Sequence, residues 1–311
     1  MKKKQRYKVR NWKEYNEALV KRGSLTLWFD EEAVKAWHDV EIIDDRGAPP
    51  TYSDVAILCA LSLKVIFQLP LRATEGLLCS LVELMELPIK VPNYTTLSRR
   101  QAKLRVEIPS FIPTDSRHVV IDSTGLKVFG EGEWKVRQHG YDKRRTWRKL
   151  HLGIDESTQE IVASAVTTND IKDSQVLGEL LEQIDEPINQ VSADGAYDSF
   201  ECYQQILEQE AEPVIPPRKD AVEKPESAQH PEITARNQVV IKVAEQGSKN
   251  WKQESAYHRR SLAETAMFRI KTLFGNQLKA RKFESQAVES FVRCMVLNRM
   301  TALGLPDSYP V

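Results

Sequence analysis

The sequence predicts a mixed α/β protein whose first part is helical, and three observations carry this prediction. Residues 1–112 hold apolar residues at helical spacing, whereas short runs of aliphatic and β-branched residues begin at His118. Two of these runs are followed directly by an aspartate. Pro109, Pro113 and a polar stretch separate the two patterns. We therefore expect an N-terminal helical region over residues 1–112 and a second domain over residues 113–311.

Three helices are predicted in the N-terminal region. Two are apolar, and a short basic one follows Pro92 and Asn93 and carries Arg99 and Arg100. This order suits a helix-turn-helix that binds DNA through these two arginines. A basic, solvated helix in an ordinary bundle fits the pattern equally well. The apolar helices are predicted over residues 55–69 and 72–87.

The second domain is predicted to alternate strands with helices. Strands of four to eight residues bounded by turn residues are typical of such a domain, and longer periodic segments indicate its helices. Residues 218–236 are polar and contain prolines, which predicts a loop. The predicted strands cover residues 118–122, 134–138, 148–154, 161–167, 191–194 and 214–215. The predicted helices cover residues 173–184 and 199–208, a long segment ending at Phe274, and residues 285–303.

Composition limits the classes of protein that are possible. The formal net charge is zero, which argues against a uniformly basic nucleic-acid binder, although residues 1–22 hold nine Lys or Arg against two Glu. The four cysteines form no zinc-binding pattern. The apolar run over residues 55–69 is interrupted by Lys64 and is short for a membrane span. We expect a cytoplasmic protein with no membrane partner and no signal peptide.

Four polar residues near the C-terminal end fall on one face of a predicted helix: Tyr257, Arg260, Glu264 and Lys271. Apolar residues take the opposite face, so the helix has one side to bury and one to present. Arg260 and Glu264 are also at the spacing of an ordinary ion pair on a solvated helix. A carboxylate flanked by cations is otherwise suited to a phosphodiester and a divalent metal.

Three acidic residues form a candidate catalytic set. Asp122 and Asp194 are predicted at strand ends and Glu264 on the polar helical face, and acids at strand ends collect at the rim of a sheet. Carboxylates are ligands for Mg²⁺, and two such ions can activate a nucleophilic oxygen and stabilise a leaving one at phosphorus. Each aspartate could instead shape a turn, because Ser-Thr-Gly and Gly follow them.

The chain resembles the bacterial DDE transposases of the insertion-sequence-five family. The resemblance rests on five segments: IDSTGLKV at 121–128, WRKLHLGID at 147–155, ADGAYD at 193–198, PPR at 216–218, and YHRRSLAE at 257–264. With Lys271, the last segment matches the family's tyrosine-arginine-glutamate-lysine signature. The resemblance implies an RNase H-like, retroviral-integrase-like mixed sheet flanked by helices. It also implies Asp122, Asp194 and Glu264 as catalytic metal ligands for two Mg²⁺ ions, for which Mn²⁺ is expected to substitute.

Membership would make the chain an enzyme that excises and reinserts a mobile element. Arg260 and Lys271 would then hold phosphates, and Tyr257 would contact a phosphate or a base, or pack at the core edge. A basic stretch with interleaved aromatic rings, residues 134–150, suits DNA. A solvated basic hairpin is the alternative. The candidate DNA contacts in this stretch are Arg144, Arg145, Arg148 and Lys149.

Double-stranded DNA is the expected partner, as terminal inverted repeats and as target. Pairing two element ends favours a dimer assembled on DNA, in the bacterial cytoplasm at the nucleoid. No small-molecule substrate is expected. A metal-dependent nuclease without strand transfer and a non-catalytic DNA-binding regulator remain as alternatives. The isolated histidines His139, His151 and His258 have no ligand spacing and are expected to pack or contact phosphate.

Overall fold

The computed structural model describes residues 7–38, 51–128, 147–226 and 228–311. They divide into two compact units, one of residues 1–107 with 282–311 and one of residues 108–281. This division differs from the expected one at residue 112, because the C-terminal segment packs with the N-terminal residues. Every residue of the candidate catalytic set lies in the second unit, as it did in the expected second domain.

The first unit is mainly helical and has one two-stranded sheet. Strand β1 (Tyr7–Val9) pairs antiparallel with β8 (Ser308–Pro310), which joins the two ends of the chain. Side-chain caps begin three of the helices, where Asp30 accepts from the Ala33 N–H, Ser53 from the Ala56 N–H and Asn93 from the Thr96 N–H. The helices are α1 (Trp12–Lys21), α2 (Leu25–Trp28), α3 (Glu31–Lys35), α4 (Asp54–Ile66), α5 (Leu71–Leu84) and α6 (Tyr94–Gln101).

The three predicted N-terminal helices are confirmed, and they pack on one another as α4, α5 and α6. Residues 85–93 connect α5 to α6, whereas the turn of a helix-turn-helix has only three or four residues. Helices α4 and α5 are joined by residues 67–70 and are bent by 110°. The arrangement therefore departs from a simple helix-turn-helix at the connection before the basic helix.

The C-terminal helix belongs to the first unit. This helix (Phe283–Ala302, the last in the chain) packs on α4 and α6, and the Gln101 amide donates to the Ser285 carbonyl over 2.9 Å. It is buried on nearly all sides, including Val292, Cys294 and Val296. Its buried side chains also include polar ones, and Arg293 pairs with Glu289 over 2.8 Å. The helix is therefore a core element of the first unit, although its buried surface is only partly apolar.

The second unit is built on a six-stranded mixed sheet. Its long central strand β2 (Arg117–Val128) pairs antiparallel with β3 (Trp147–Asp155), which pairs antiparallel with β4 (Ile161–Thr168). On its other side β2 pairs parallel with β5 (Ile188–Ser192), and β5 with β6 (Glu212–Val214). A short strand β7 (Gln277–Leu278) pairs parallel with the end of β2. The expected strands in the described residues are therefore present.

Helices cover both faces of this sheet. Val119 and Ile121 of β2 join a core with Leu177 and Leu180 of α7 (Leu177–Leu181). Successive side chains of a strand point to opposite faces, so Asp122 and Thr124 lie on the face opposite Val119 and Ile121. The remaining helices of this unit are α8 (Phe200–Glu208), α9 (Pro231–Gln246), α10 (Ser248–Glu254) and α11 (Ser261–Phe274), and the C-terminal helix of the first unit is α12.

Three predictions for this unit need correction. The long helix ending at Phe274 is four pieces, α9, α10, a 3₁₀ turn (Tyr257–Arg260) and α11, and α9 begins at Pro231 inside the predicted loop. Gly247 (φ 82°) and Ala256 (φ 52°) have positive φ between the pieces, which a continuous helix does not allow. The predicted helix 173–184 is a 3₁₀ turn (Asp173–Val176) followed by α7. The expected strand 134–138 lies outside the described residues.

Among the described helices, none alone has the length and apolar composition of a membrane span. The bent pair α4 and α5 passes that test only when the two helices are taken together.

Candidate active site

Asp122 lies in the middle of β2, not at the end of a strand as the sequence suggested. Ser-Thr-Gly after it continues the strand, because Ser123 and Thr124 pair with His151 and Leu150 of β3. The carboxylate is half-buried on the face of the sheet opposite α7 and accepts the Ser123 N–H over 2.8 Å. Asp122 is thus fixed on a rigid strand.

Asp194 follows β5 almost directly and lies beside Asp122. Val120 and Ser192 are the last residues paired in the parallel register of β2 and β5, and Asp122 and Asp194 each follow them by two residues. The negative charge of Asp194 acts on Asp122 and raises its pKa. Adjacent strands are about 4.8 Å apart and paired residues share a face. The Asp194 carboxylate accepts the Ala196 N–H over 2.8 Å and caps a 3₁₀ turn (Gly195–Tyr197). The two aspartates therefore belong to one site.

Glu264 reaches the same site from α11 through Arg260. The Arg260 guanidinium donates from Nη1 to Asp122 Oδ2 and from Nη2 to Glu264 Oε1, each over 2.5 Å. Lys271 Nζ donates to Thr124 Oγ1 over 2.6 Å, which holds α11 over the face that carries Asp122. The structure therefore brings together the three acids predicted from the sequence, with Arg260 between two of them.

The charges of this cluster act on one another. Burial raises the pKa of Asp122, and the negative charges of Asp194 and Glu264 add to that effect, while the Ser123 N–H and Arg260 oppose it. Burial disfavours the charged form of Arg260, but the surrounding carboxylates more than compensate and raise its pKa. The site is a concentration of negative charge that is offset by one guanidinium.

The donor set fits a hard divalent cation, because all three side chains offer carboxylate oxygens. Within the described ranges, no three His, Cys, Asp or Glu side chains already form a cage for a metal ion. The position of Arg260 explains this, since its guanidinium stands where a cation between Asp122 and Glu264 would bind. Arg260 is 22% exposed, so its side chain has solvent into which it can turn.

Tyr257 lies at the edge of the core. Its ring packs against Trp251 with 5.8 Å between ring centroids, and Lys252 Nζ lies 5.2 Å from the ring centre. Burial raises the pKa of Tyr257, so the phenol stays protonated. Of the two roles considered, packing at the core edge is the one for which the structure provides contacts.

A supporting network beside Asp122 was not found from the sequence. Asp173 Oδ2 accepts from Ser123 Oγ and its Oδ1 from Lys149 Nζ, each over 2.9 Å. Lys149 also donates to the Ile171 carbonyl over 2.8 Å. Lys149, a predicted DNA contact, is therefore engaged within the protein. No local pattern pairs residues so far apart in sequence, so only the fold reveals this network.

Arg218 is a second residue at the site that was not assigned from the sequence, although its motif was noted. Its guanidinium donates to the carbonyls of Gly195 and Ala196 over 3.3 Å, next to Asp194. The Arg218 N–H donates to Asp198, which Arg236 also binds through two nitrogens. These bonds fix the turn that carries Asp194.

The remaining predicted DNA contacts have different surroundings. Arg99 is exposed on α6, whereas Arg100 pairs with Asp54 and donates to the Tyr52 carbonyl over 2.7 Å. Arg148 donates to the Trp147 carbonyl over 3.3 Å. The other two predicted contacts, Arg144 and Arg145, lie outside the described residues.

The histidines have separate environments. His151 is fully buried in β3, bonds to Thr167 Oγ1 over 2.8 Å, and has its pKa lowered to about 4 by burial. It is therefore a neutral packing residue. His258 is exposed, and His139 lies outside the described residues.

Models of known protein families match the sequence of this chain. The family model described as a transposase DDE domain matches residues 113–299, and a second model with the same description matches residues 20–131. Since the first match spans more than half of the sequence, the chain belongs to the DDE transposases. It is thereby placed among enzymes that cleave and transesterify DNA, and that typically use divalent metal ions.

A solved structure is also similar to the chain. It is the cryo-EM structure of the piggyBac transposase synaptic complex with hairpin DNA. The similarity covers 90% of this chain and 75% of that one, with 10% sequence identity and a TM-score of 0.40.

Proposed function

We propose that the chain is the transposase of a bacterial insertion sequence of the insertion-sequence-five family. It binds the terminal inverted repeats and uses Asp122, Asp194 and Glu264 to cut DNA and to join the cut end to a target. The observation that carries this proposal is the Arg260 guanidinium, which binds Asp122 and Glu264 at once, while the charge of Asp194 acts on both Asp122 and Arg260. An RNase H-like fold accommodates the mixed sheet with helices on both faces.

Asp122, Asp194 and Glu264 would hold two Mg²⁺ ions, or Mn²⁺ in their place. When bound, such ions stabilise the negative charge that develops on the oxygens at a reacting phosphorus. Binding would release Arg260 from its two carboxylates. The freed guanidinium is then available to a phosphate beside the scissile one, with the bidentate geometry that arginine offers.

Other residues of the chain hold the proposed catalytic acids in position. The network of Asp173, Ser123 and Lys149 holds β2 at the residue after Asp122. Arg218 fixes the turn after Asp194. In the joining step the 3′ hydroxyl forms a new bond to the target phosphorus as a target ester bond breaks, so no external energy is needed. Catalysis then depends on holding both DNA ends in line.

The first unit is proposed to bind the inverted repeats. Arg99 is exposed on α6, which Asn93 caps, and is therefore accessible to a DNA backbone. Arg100 has a different role in this proposal, since its pairing with Asp54 orients α6 against α4. Pairing two ends of the element makes a DNA-assembled dimer the expected active form.

A joining assay tests the proposal. The protein is incubated with Mg²⁺, target DNA and a pre-cut element terminus that ends in a 3′ hydroxyl. The sequence of this terminus is taken from the DNA that flanks the coding region. Joined products are expected, and Asp122→Asn should abolish them. Cleavage without joining would instead identify a nuclease. If the biological activity of the Asp122→Asn variant equals that of the wild type, the protein is instead a DNA-binding regulator.

A further inference from the structure

One large aromatic side chain stands exposed on the helix that carries Glu264. Phe268 is 68% exposed, whereas Ala263, Ala266 and Ile270 of the same helix are buried. A single exposed apolar residue is common on protein surfaces. What sets Phe268 apart is its position on the helix, one turn after Glu264.

Phe268 lies on the polar face of α11. It follows Glu264 by four residues and precedes Lys271 by three, which are the two spacings that place side chains next to each other on a helix. One helical turn advances about 5.4 Å along the axis. The phenyl ring is therefore held about one turn from a catalytic acid and beside a lysine bound to the central strand.

We propose that Phe268 is a stacking surface for an unpaired DNA base next to the reacting phosphate. This inference rests on the proposed function and deepens it by adding a positioning residue. The cations of Arg260 and Lys271 complement the charge of the DNA backbone along this face. A flat ring between them suits a base, because every base has a face on which an aromatic side chain can stack.

The surroundings of the ring favour a base over a protein partner. Thr265 and Thr272 are exposed on either side of Phe268, and Glu264 is exposed one turn away. Along α11 the ring therefore stands among polar side chains, whereas the buried core of a protein interface is depleted of charge and mostly apolar. One stacked base covers a ring of this size.

Fluorescence of 2-aminopurine tests the contact directly. The probe base is placed unpaired at the fork of a forked DNA, and a distant fluorescein reports binding through its anisotropy. Wild-type protein is expected to quench the 2-aminopurine, and Phe268→Tyr to retain the quenching. Phe268→Ala and Phe268→Leu should remove it and bind the fork about tenfold more weakly, with affinity for fully paired duplex changed less than twofold. Because leucine keeps the apolar bulk, the comparison of leucine with tyrosine isolates stacking from folding.

Phe111→Ala is the matched control. Phe111 is a 45% exposed phenylalanine of the same unit, and its N–H bonds Glu160 in the turn between β3 and β4. This variant should quench as the wild type does. Unchanged quenching in Phe268→Leu would overturn the inference. Loss of self-association in Phe268→Ala, with quenching intact, would also overturn it and assign the ring to a second copy of the chain.

The outcome separates this inference from the proposed function. Quenching that depends on Phe268, in a protein that joins no DNA ends, would support the stacking contact and remove strand transfer. Joining by the wild type, with no dependence of quenching on Phe268, would overturn the stacking contact alone. Failure of the wild type to bind either DNA would overturn both.

Discussion

Replacing Arg260 by glutamine perturbs the contact on which the site is built. The Arg260 guanidinium and the Asp122 carboxylate are 22% and 16% exposed, so their charge-assisted bond stabilises the fold by about 1.5–3 kcal/mol. Glu264 is 58% exposed, and its pairing at the i,i+4 spacing adds only about 0.3–0.5 kcal/mol. Without divalent ions the variant should lose about 2–3 kcal/mol of its free energy of unfolding. Its melting temperature should fall by about 5–10 °C.

Divalent ions should reverse part of this loss. If a divalent ion binds these carboxylates as proposed, it must displace Arg260 from Asp122 and Glu264 in the wild type, whereas in Arg260→Gln the carboxylates are already released. At saturating Mg²⁺, each tenfold gain in affinity adds about 1.4 kcal/mol of stability. The Mg²⁺-dependent rise in melting temperature should therefore be larger for the variant than for the wild type, as measured by calorimetry.

Arg259→Gln is the matched control for this experiment. Arg259 neighbours Arg260 in the 3₁₀ turn but pairs with Glu156 at the end of β3, not with one of the three proposed catalytic acids. Its loss should lower stability without changing the Mg²⁺ response. An Arg260→Gln protein as stable as the wild type, with the same Mg²⁺ response as Arg259→Gln, would refute the competition between guanidinium and metal.

Three further predictions follow from named contacts. His151 has a folded pKa of about 4 against about 6.5 unfolded, so the unfolded chain binds more protons in that window and stability falls as pH drops through it, by up to about 3 kcal/mol. The difference in urea midpoint between wild type and His151→Gln should therefore change between pH 7 and pH 4.5, and a constant difference would contradict this. Arg99→Ala should weaken binding to terminal repeats without changing the melting temperature, whereas Arg100→Ala should lower both, because Arg100 pairs with Asp54. Equal effects of these two substitutions would count against their separate roles. Lys271→Ala should weaken DNA binding for all sequences and reduce the salt dependence by about one phosphate contact, and an unchanged salt slope in anisotropy titrations would exclude that contact.

Local patterns predicted much of the fold and the acids of the candidate site. Asn93 preceded a helix as a cap, an acid followed the apolar residues of β5, and the polar spacing from Arg260 to Glu264 marked one helical face. Each of these signals involves residues close together in sequence. They are set by backbone geometry and side-chain caps, which a sequence records directly.

Other features depended on contacts between distant residues. Asp122 was expected at a strand end, whereas β2 continues through Ser123 and Thr124. The strand continues there because these residues pair with β3, a contact that the local sequence does not show. The breaks before α10 and the 3₁₀ turn were hidden because Gly247 and Ala256 interrupt a segment of otherwise helical composition. Arg260 also pairs with Asp122, which lies 138 residues away, and no local spacing predicts such a contact.

Asp122, Asp194 and Glu264 are proposed to share two metal ions, and electron paramagnetic resonance of Mn²⁺ measures whether they do. With protein bound to DNA of the element terminus, we expect two spin-coupled Mn²⁺ ions per site. Asp122→Asn, Asp194→Asn and Glu264→Gln should each abolish the coupling. Isolated, uncoupled Mn²⁺ in the wild type, or coupling that survives all three substitutions, would contradict this proposal.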